Sequence, residues 1–248
     1  MIRLCLLLLL APGLANAACR QALALGLDVS GSVDAVEYRL QLDGLATALN
    51  SEKVQEVLFA QPDAPVQVLV YEWSGPIDQT VIVPWTVIAS PQNLAQITAT
   101  LRGHQRTAAA PTTAIGSAML AGFVFLEQQP SCWKRTLDIS GDGPTNTGPR
   151  PQDIADDLTP TGVVVNGLVI GADDVPTGDI RFADVKELSS YYRSYVLRGP
   201  DAFVEVALGF EDYAAAMERK LLRELASIAI GDAGASHDLR TMSPRRIQ

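Results

Sequence analysis

Asp28, Ser30 and Ser32 stand at alternate positions in Leu27-Asp28-Val29-Ser30-Gly31-Ser32, and their types invite a chemical reading first. A carboxylate and hydroxyls are hard oxygen donors. In a loop that turns over the end of a strand, alternate residues can face one point, and convergent oxygens suit a hard divalent cation such as Mg2+. Serine and aspartate also cap helices. The stretch alone therefore leaves a ligand set and a helix cap both open.

Two later stretches could complete a site. Thr112-Thr113-Ala114-Ile115-Gly116 opens a segment of helical composition, and Ser140-Gly141-Asp142-Gly143 closes a stretch, Lys134–Ser140, that reads as a strand. Asp28 and Asp142 thus fall at the carboxyl ends of expected strands, where open α/β sheets collect ligands if the strand order reverses between them.

Other chemistries find less material. The chain has two histidines, His104 in a polar loop and His237 near the C-terminus, so a Ser-His-Asp arrangement lacks a placed base. Ser30 does not sit in a G-x-S-x-G elbow. No histidine or cysteine pair has zinc-ligand spacing, and Gly141-Asp142-Gly143-Pro144 puts an acid where a phosphate loop would repel its ligand. A magnesium-assisted, phosphatase-like hydrolase could use Asp28 and Asp142. It would also want a lysine or arginine for the transferring group, and none can be assigned. Asp138, inside a strand, reads as a hydrogen-bonded structural residue or as support for the metal loop. Glu72 and Trp73 read as packing and rim residues, with Trp73 placed to shape the mouth of the site. Asp173, Asp174 and Asp179 read as a solvated loop or a second cation group.

The elements that must position these residues alternate. Ala22–Leu27 is an apolar run suited to a strand covered on both faces, and Val33–Leu49 carries helical spacing. Val66–Trp73 reads as a strand, and Gln79–Trp85 returns antiparallel after the short Ser74-Gly75-Pro76 connection, with Pro84 marking an edge. Helices are expected over Pro91–Leu101, Thr113–Gln128, Pro151–Leu158 and Asp184–Ser190, and strands over Lys134–Ser140, Val163–Ile170 and Tyr195–Arg198. One or two helices should fill Phe203–Ile228. Alternation of this kind predicts an α/β fold with a mostly parallel sheet.

Met1-Ile2-Arg3, the apolar run Leu4–Leu10 and Ala15-Asn16-Ala17 have the pattern of a secretory signal peptide over 1–17. Residues 18–230 then form one domain and 231–248 a polar, disordered tail. The formal charge of −9, with no basic patch, argues against nucleic acid and anionic membrane surfaces as partners. No stretch has the ~20 apolar residues of a membrane span. Past residue 17 two cysteines remain, Cys19 and Cys132, and an even count in an exported chain suggests a disulfide. Cys19 precedes Asp28 by nine positions and Cys132 precedes Asp142 by ten (28 − 19; 142 − 132), which places the pair together if the strands are neighbours.

With Asp28, Ser30, Ser32, Thr113 and Asp142 in that order, the chain resembles the von Willebrand factor A superfamily and its metal-ion-dependent adhesion site. That site combines a D-x-S-x-S loop, a threonine from a second loop and an aspartate after a later strand. Tyr71-Glu72-Trp73-Ser74-Gly75, Cys132-Trp133-Lys134-Arg135, Asp138-Ile139-Ser140-Gly141-Asp142-Gly143 and Asn166-Gly167-Leu168 are similar to an exported bacterial branch still classed as a domain of unknown function. The resemblance implies a three-layer, Rossmann-like fold whose central sheet is mostly parallel with one antiparallel edge strand and helices on both faces. It implies Mg2+, or Mn2+ or Ca2+, on those residues, with a position left for an Asp or Glu carboxylate of a protein partner. With no base placed for hydrolysis and a signal-peptide pattern at the start, the chain reads as a binding protein and not an enzyme, in the periplasm or outside the cell. Many members carry glycine before the site threonine where this chain has Thr112; the Ala-Ile-Gly that follows favours Thr113 as the ligand.

Overall fold

The computed structural model describes residues 18–171 and 178–232. The proposed signal peptide, Asp173, Asp174 and residues 233–248 lie outside them.

The apolar run at the start of the domain becomes β1 (Cys19–Asp28), buried along its whole length. A strand with no polar face needs cover on both sides, and β1 accordingly lies inside the sheet. The six strands run in the order β3-β2-β1-β4-β5-β6, where β2 is Val66–Trp73, β3 Gln79–Ile88, β4 Cys132–Gly141, β5 Val163–Ile170 and β6 Val204–Ala207. Among these six strands of the described residues, only β2 and β3 pair antiparallel. Pro84 sits on the outer strand β3, where its missing N–H costs no ladder bond, beside irregular register between Val68 and Tyr71.

Alternation along the strands divides the core. Leu23, Leu25 and Leu27 face α1 (Ala35–Leu49), α2 (Glu52–Phe59), α3 (Pro91–Gly103) and α6 (Tyr213–Asp232). Ala22 and Ala24 face the other way, toward α4 (Ile115–Glu127) and α5 (Gly178–Tyr191). Three layers result, helices on both faces of a mostly parallel sheet. Asp34 caps α1 through the N–H groups of Val36 and Glu37, and the Glu37 carboxylate takes the Asp34 N–H at 2.7 Å. This reciprocal box starts the helix one turn past Ser32, so the cap role falls to Asp34 and leaves Ser30 and Ser32 free for other work.

Several boundaries differ from the sequence reading. Tyr195–Arg198 is not a strand: Tyr192–Val196 is a π-helical turn after α5, and Arg198 reaches β5 only by a bridge to Val165. The last strand is β6, inside the stretch expected to be helical. It is short and half-buried, so it carries no alternation to read. Pro151–Leu158 forms two 3-10 turns, α2 was not foreseen, and α6 runs past Gly231, where a tail was expected.

The cysteines meet as expected. Cys19 and Cys132 are opposite each other in the β1–β4 register and form a disulfide with Cα atoms 4.5 Å apart.

Candidate metal centre

The strand order reverses between β1 and β4, since β2 and β3 continue to one side of β1 while β5 and β6 continue beyond β4. Asp28 ends β1 and Asp142 follows the last residue of β4. The two carboxylates therefore flank the switch point of the sheet.

The Asp28 side chain is fully buried. Its Oδ1 accepts the Ser30 N–H at 2.8 Å, which turns the loop back over the strand, while Oδ2 has no hydrogen-bond partner. The Ser30 hydroxyl, also buried, lies 3.2 Å from the Ser32 hydroxyl and 3.3 Å from Thr113 Oγ1. Ser32 then donates to Asp142 Oδ1 at 2.8 Å. All five residues singled out in the sequence thus form one continuous cluster of oxygens. Its inner end is buried at Asp28 and its outer end is exposed at Ser32. Thr113 is buried against Ser30, whereas Thr112 packs toward Gly75.

Neighbouring elements hold these loops in place. Arg106 donates to the carbonyls of Val33 (2.6 Å), Val29 (2.9 Å) and Ser30 (3.2 Å), clamping the first loop through its backbone. Gln41 of α1 donates to the Asp28 carbonyl at 2.9 Å. Asn146 and Thr113 exchange a pair of hydrogen bonds, each 2.9 Å, and the Thr145 hydroxyl donates to the Thr113 carbonyl at 3.1 Å. The loop after β4 therefore positions the threonine loop. Sequence reasoning missed Arg106, Gln41 and Asn146, because nothing local marks a side chain whose partner lies 13 to 77 positions away.

Electrostatics favour a cation here. Burial, and after it the charge of Asp142, push the Asp28 carboxyl up to about 8. Burial also raises Asp142. Tyr192, fully buried with an unpartnered hydroxyl, is pushed far up by burial and by both aspartates. Among the described residues no lysine or arginine pairs with either carboxylate, and no group of three or more His, Cys, Asp and Glu side chains comes together. Hydroxyls supply the remaining donors. A donor set of two carboxylates and three hydroxyls, with a buried carboxylate oxygen left unpartnered, fits a hard divalent cation better than zinc or copper.

The other candidates fall elsewhere. Trp73 is fully buried beneath the site near Gly141, not at its mouth. Glu72 is buried too, accepting from Tyr38 at 2.5 Å with His104 Nε2 at 3.4 Å, so His104 attends Glu72. Asp138 is paired inside the protein with Lys220 at 2.6 Å. His237 lies outside the described residues, as do Asp173 and Asp174; Asp179 falls in α5.

The architecture is that of von Willebrand A domains. It matches the von Willebrand factor type A structure from Catenulispora acidiphila (TM-score 0.55, 16% identity, 85% of this chain and 43% of that one). It also matches proximal thread matrix protein 1 of the mussel byssus, in a structure with a zinc-occupied MIDAS motif (0.52, 17%, 85% and 48%). A third match is the pilus adhesin SpaC from Lactobacillus rhamnosus GG (0.55, 15%, 86% and 31%). The chain spans less than half the length of each of these proteins. No curated protein matches it. Residues 18–229 match the family model described as protein of unknown function (DUF1194), and the chain belongs to that family.

Proposed function

We propose that this protein binds a protein partner through a divalent cation, Mg2+ or in its place Mn2+ or Ca2+, held by Asp28, Ser30, Ser32, Thr113 and Asp142. The observation that carries the reading is the oxygen cluster at the switch point, with Asp28 Oδ2 buried and unpartnered and no cationic side chain paired with either aspartate. A bound cation would offset both carboxylates and leave a Lewis-acidic position facing solvent. The chain's own part is to hold Asp28 and Asp142 at the ends of paired strands and to fix the hydroxyl loops through Arg106 and Asn146. Ser32 and Asp142 lie at the accessible side, so a partner meets the site there.

An Asp or Glu carboxylate of the partner is the matching ligand, because it adds a hard oxygen to a site otherwise set in an acidic chain of net charge −9. Adhesive relatives by fold, including a pilus adhesin, agree with a binding role. The signal-like N-terminus and the buried disulfide agree with export to an oxidising compartment. Among the described residues no helix is long and apolar enough to cross a membrane. A hydrolytic reading would need a base beside the cluster, and His104 is engaged with Glu72 instead.

Isothermal titration with MgCl2 and MnCl2 tests the first half. Wild-type protein should bind one ion and Asp142→Ala none. Equal binding by both would remove the site. Capture of an exported protein that is lost in EDTA, restored by Mg2+ and abolished by changing one partner Asp or Glu to its amide tests the second half.

A further inference from the structure

On the sheet face that carries α6 there is a second buried cluster, and the proposed cation has no part in it. Lys220 of α6 is fully buried, as are Asp138 of β4 and Glu224 one helical turn further along. The Lys220 ammonium nitrogen lies 2.6 Å from Asp138 Oδ1 and 2.6 Å from Glu224 Oε1. Asn166 of β5 donates to Glu224 Oε1, also at 2.6 Å, and accepts the Phe203 N–H at 3.1 Å. The Phe203 ring covers Lys220, with the ammonium 5.1 Å from its centroid. Lys220 contacts Asp138 through Oδ1, whereas Asp138 Oδ2 has no hydrogen-bond partner.

A buried ion pair recovers its desolvation cost only when its remaining polar atoms are satisfied. Here the Asp138 and Glu224 carboxylates flank the Lys220 ammonium, Lys134 Nζ lies 3.2 Å from the Glu224 carbonyl, and Asp138 Oδ2 has no hydrogen-bond partner. An amine in contact with a carboxylic acid, in a site closed to water, has another outcome open to it: condensation to an amide, which removes both charges from the interior.

We propose that Lys220 and Asp138 form an intramolecular isopeptide bond, with Glu224 as the proton acceptor. Burial in the first place, reinforced by Glu224 and opposed by Lys220, lifts the Asp138 carboxyl to about 7, so its protonated, electrophilic form is accessible. Both carboxylates hold the Lys220 proton in place, so it leaves only by transfer within the cluster, to Glu224. The freed Nζ lone pair attacks Asp138 Cγ and forms the N–C bond. The tetrahedral intermediate expels its hydroxyl, which takes a proton relayed by Glu224 and departs as water, and the amide keeps one N–H. The balance is one ammonium, one carboxylic acid and one carboxylate going to one amide, one water and one protonated Glu224. No oxidant or second substrate is required. The bond would tie the C-terminal helix to the centre of the sheet, on the face opposite α4.

Mass spectrometry of the purified, reduced and denatured protein decides the matter. Wild type should be lighter than its sequence by one water, and its digest should hold a branched peptide joining the Asp138 segment to an uncleaved Lys220. Lys220→Met and Glu224→Gln should both show the full mass. A wild-type protein of full mass, with Lys220 cleavable by trypsin, overturns the proposal and leaves an ion cluster only. So does a missing water that persists in Lys220→Met. Because the wild-type measurement decides alone, variants that fail to fold do not obscure it.

Discussion

Replacing both cysteines, Cys19→Ala with Cys132→Ala, separates stability from function. The bridge joins residues 113 positions apart, and for a loop of that length the chain-entropy relation gives about 5 kcal/mol at 25 °C. A domain of this size loses about 2–4 °C of Tm per kcal/mol, so the variant should melt about 10–20 °C lower. The site should not notice. Asp28 lies nine residues up β1 from Cys19, about 30 Å along an extended strand, and the β1–β4 ladder between them is intact without sulfur. Differential scanning calorimetry with and without MgCl2 therefore has two readouts, the absolute Tm and the increment the ion adds. Wild-type protein treated with dithiothreitol is the control, since it opens the bridge and leaves no cavity. A drop of only a few degrees in both would show that the bridge does not chiefly constrain the unfolded chain. Loss of the Mg2+ increment would show that it shapes the site.

Asp28→Asn should raise the Tm of the metal-free protein by relieving a buried, half-satisfied carboxylate, worth about 1–3 kcal/mol, and should abolish the Mg2+ increment; calorimetry reads both, and an unchanged increment would remove Asp28 from the ligands. Thr113→Ala should weaken Mg2+ affinity at least several-fold in the same titration, while Thr112→Ala leaves it near wild type. Gly141→Ala should lose cation binding though no ligand is altered, because its Cβ would stand 2.6 Å from the Tyr192 hydroxyl and 3.2 Å from Asp28 Oδ2; wild-type affinity in that variant would show that the Asp28 carboxylate has room to move.

What could be read from the sequence follows from how locally each feature is encoded. β1 is covered on both faces, and the unbroken run Ala22–Leu27 betrays it, while β2 and β5 are mostly apolar with few polar interruptions. The edge position of β3 was legible because Pro84 removes a donor that an inner strand would need. By contrast β6 has only four residues, Val204–Ala207, and makes its pairing through β5 alone. Tyr192–Val196 carries strand-like residues in a π-helical turn because Tyr192 and Val196 bury themselves in the core on the α4 face, a tertiary preference that outweighs local propensity.

The oxygen cluster was legible for a different reason. All its residues but Thr113 lie on strand ends or in the loops that follow them, and the parallel β1–β4 pairing brings sequence positions more than a hundred residues apart into register, Leu27 opposite Ser140. That register leaves Asp28 beside Gly141, and the missing side chain there is the space into which the Asp28 carboxylate leans. Asp142, one residue on, meets it from the solvent side through Ser32. Glycine before the second aspartate is therefore a steric condition of the site as well as a turn signal. Lys220 and Glu224 show the converse. On a helix wheel they are ordinary charged residues at i and i+4, and only the sheet beneath them turns the pair into a buried cluster with Asp138. A strand-borne carboxylate such as Asp138 states in the sequence that a partner must exist. It does not say which of nineteen lysines and arginines will be driven inside to meet it.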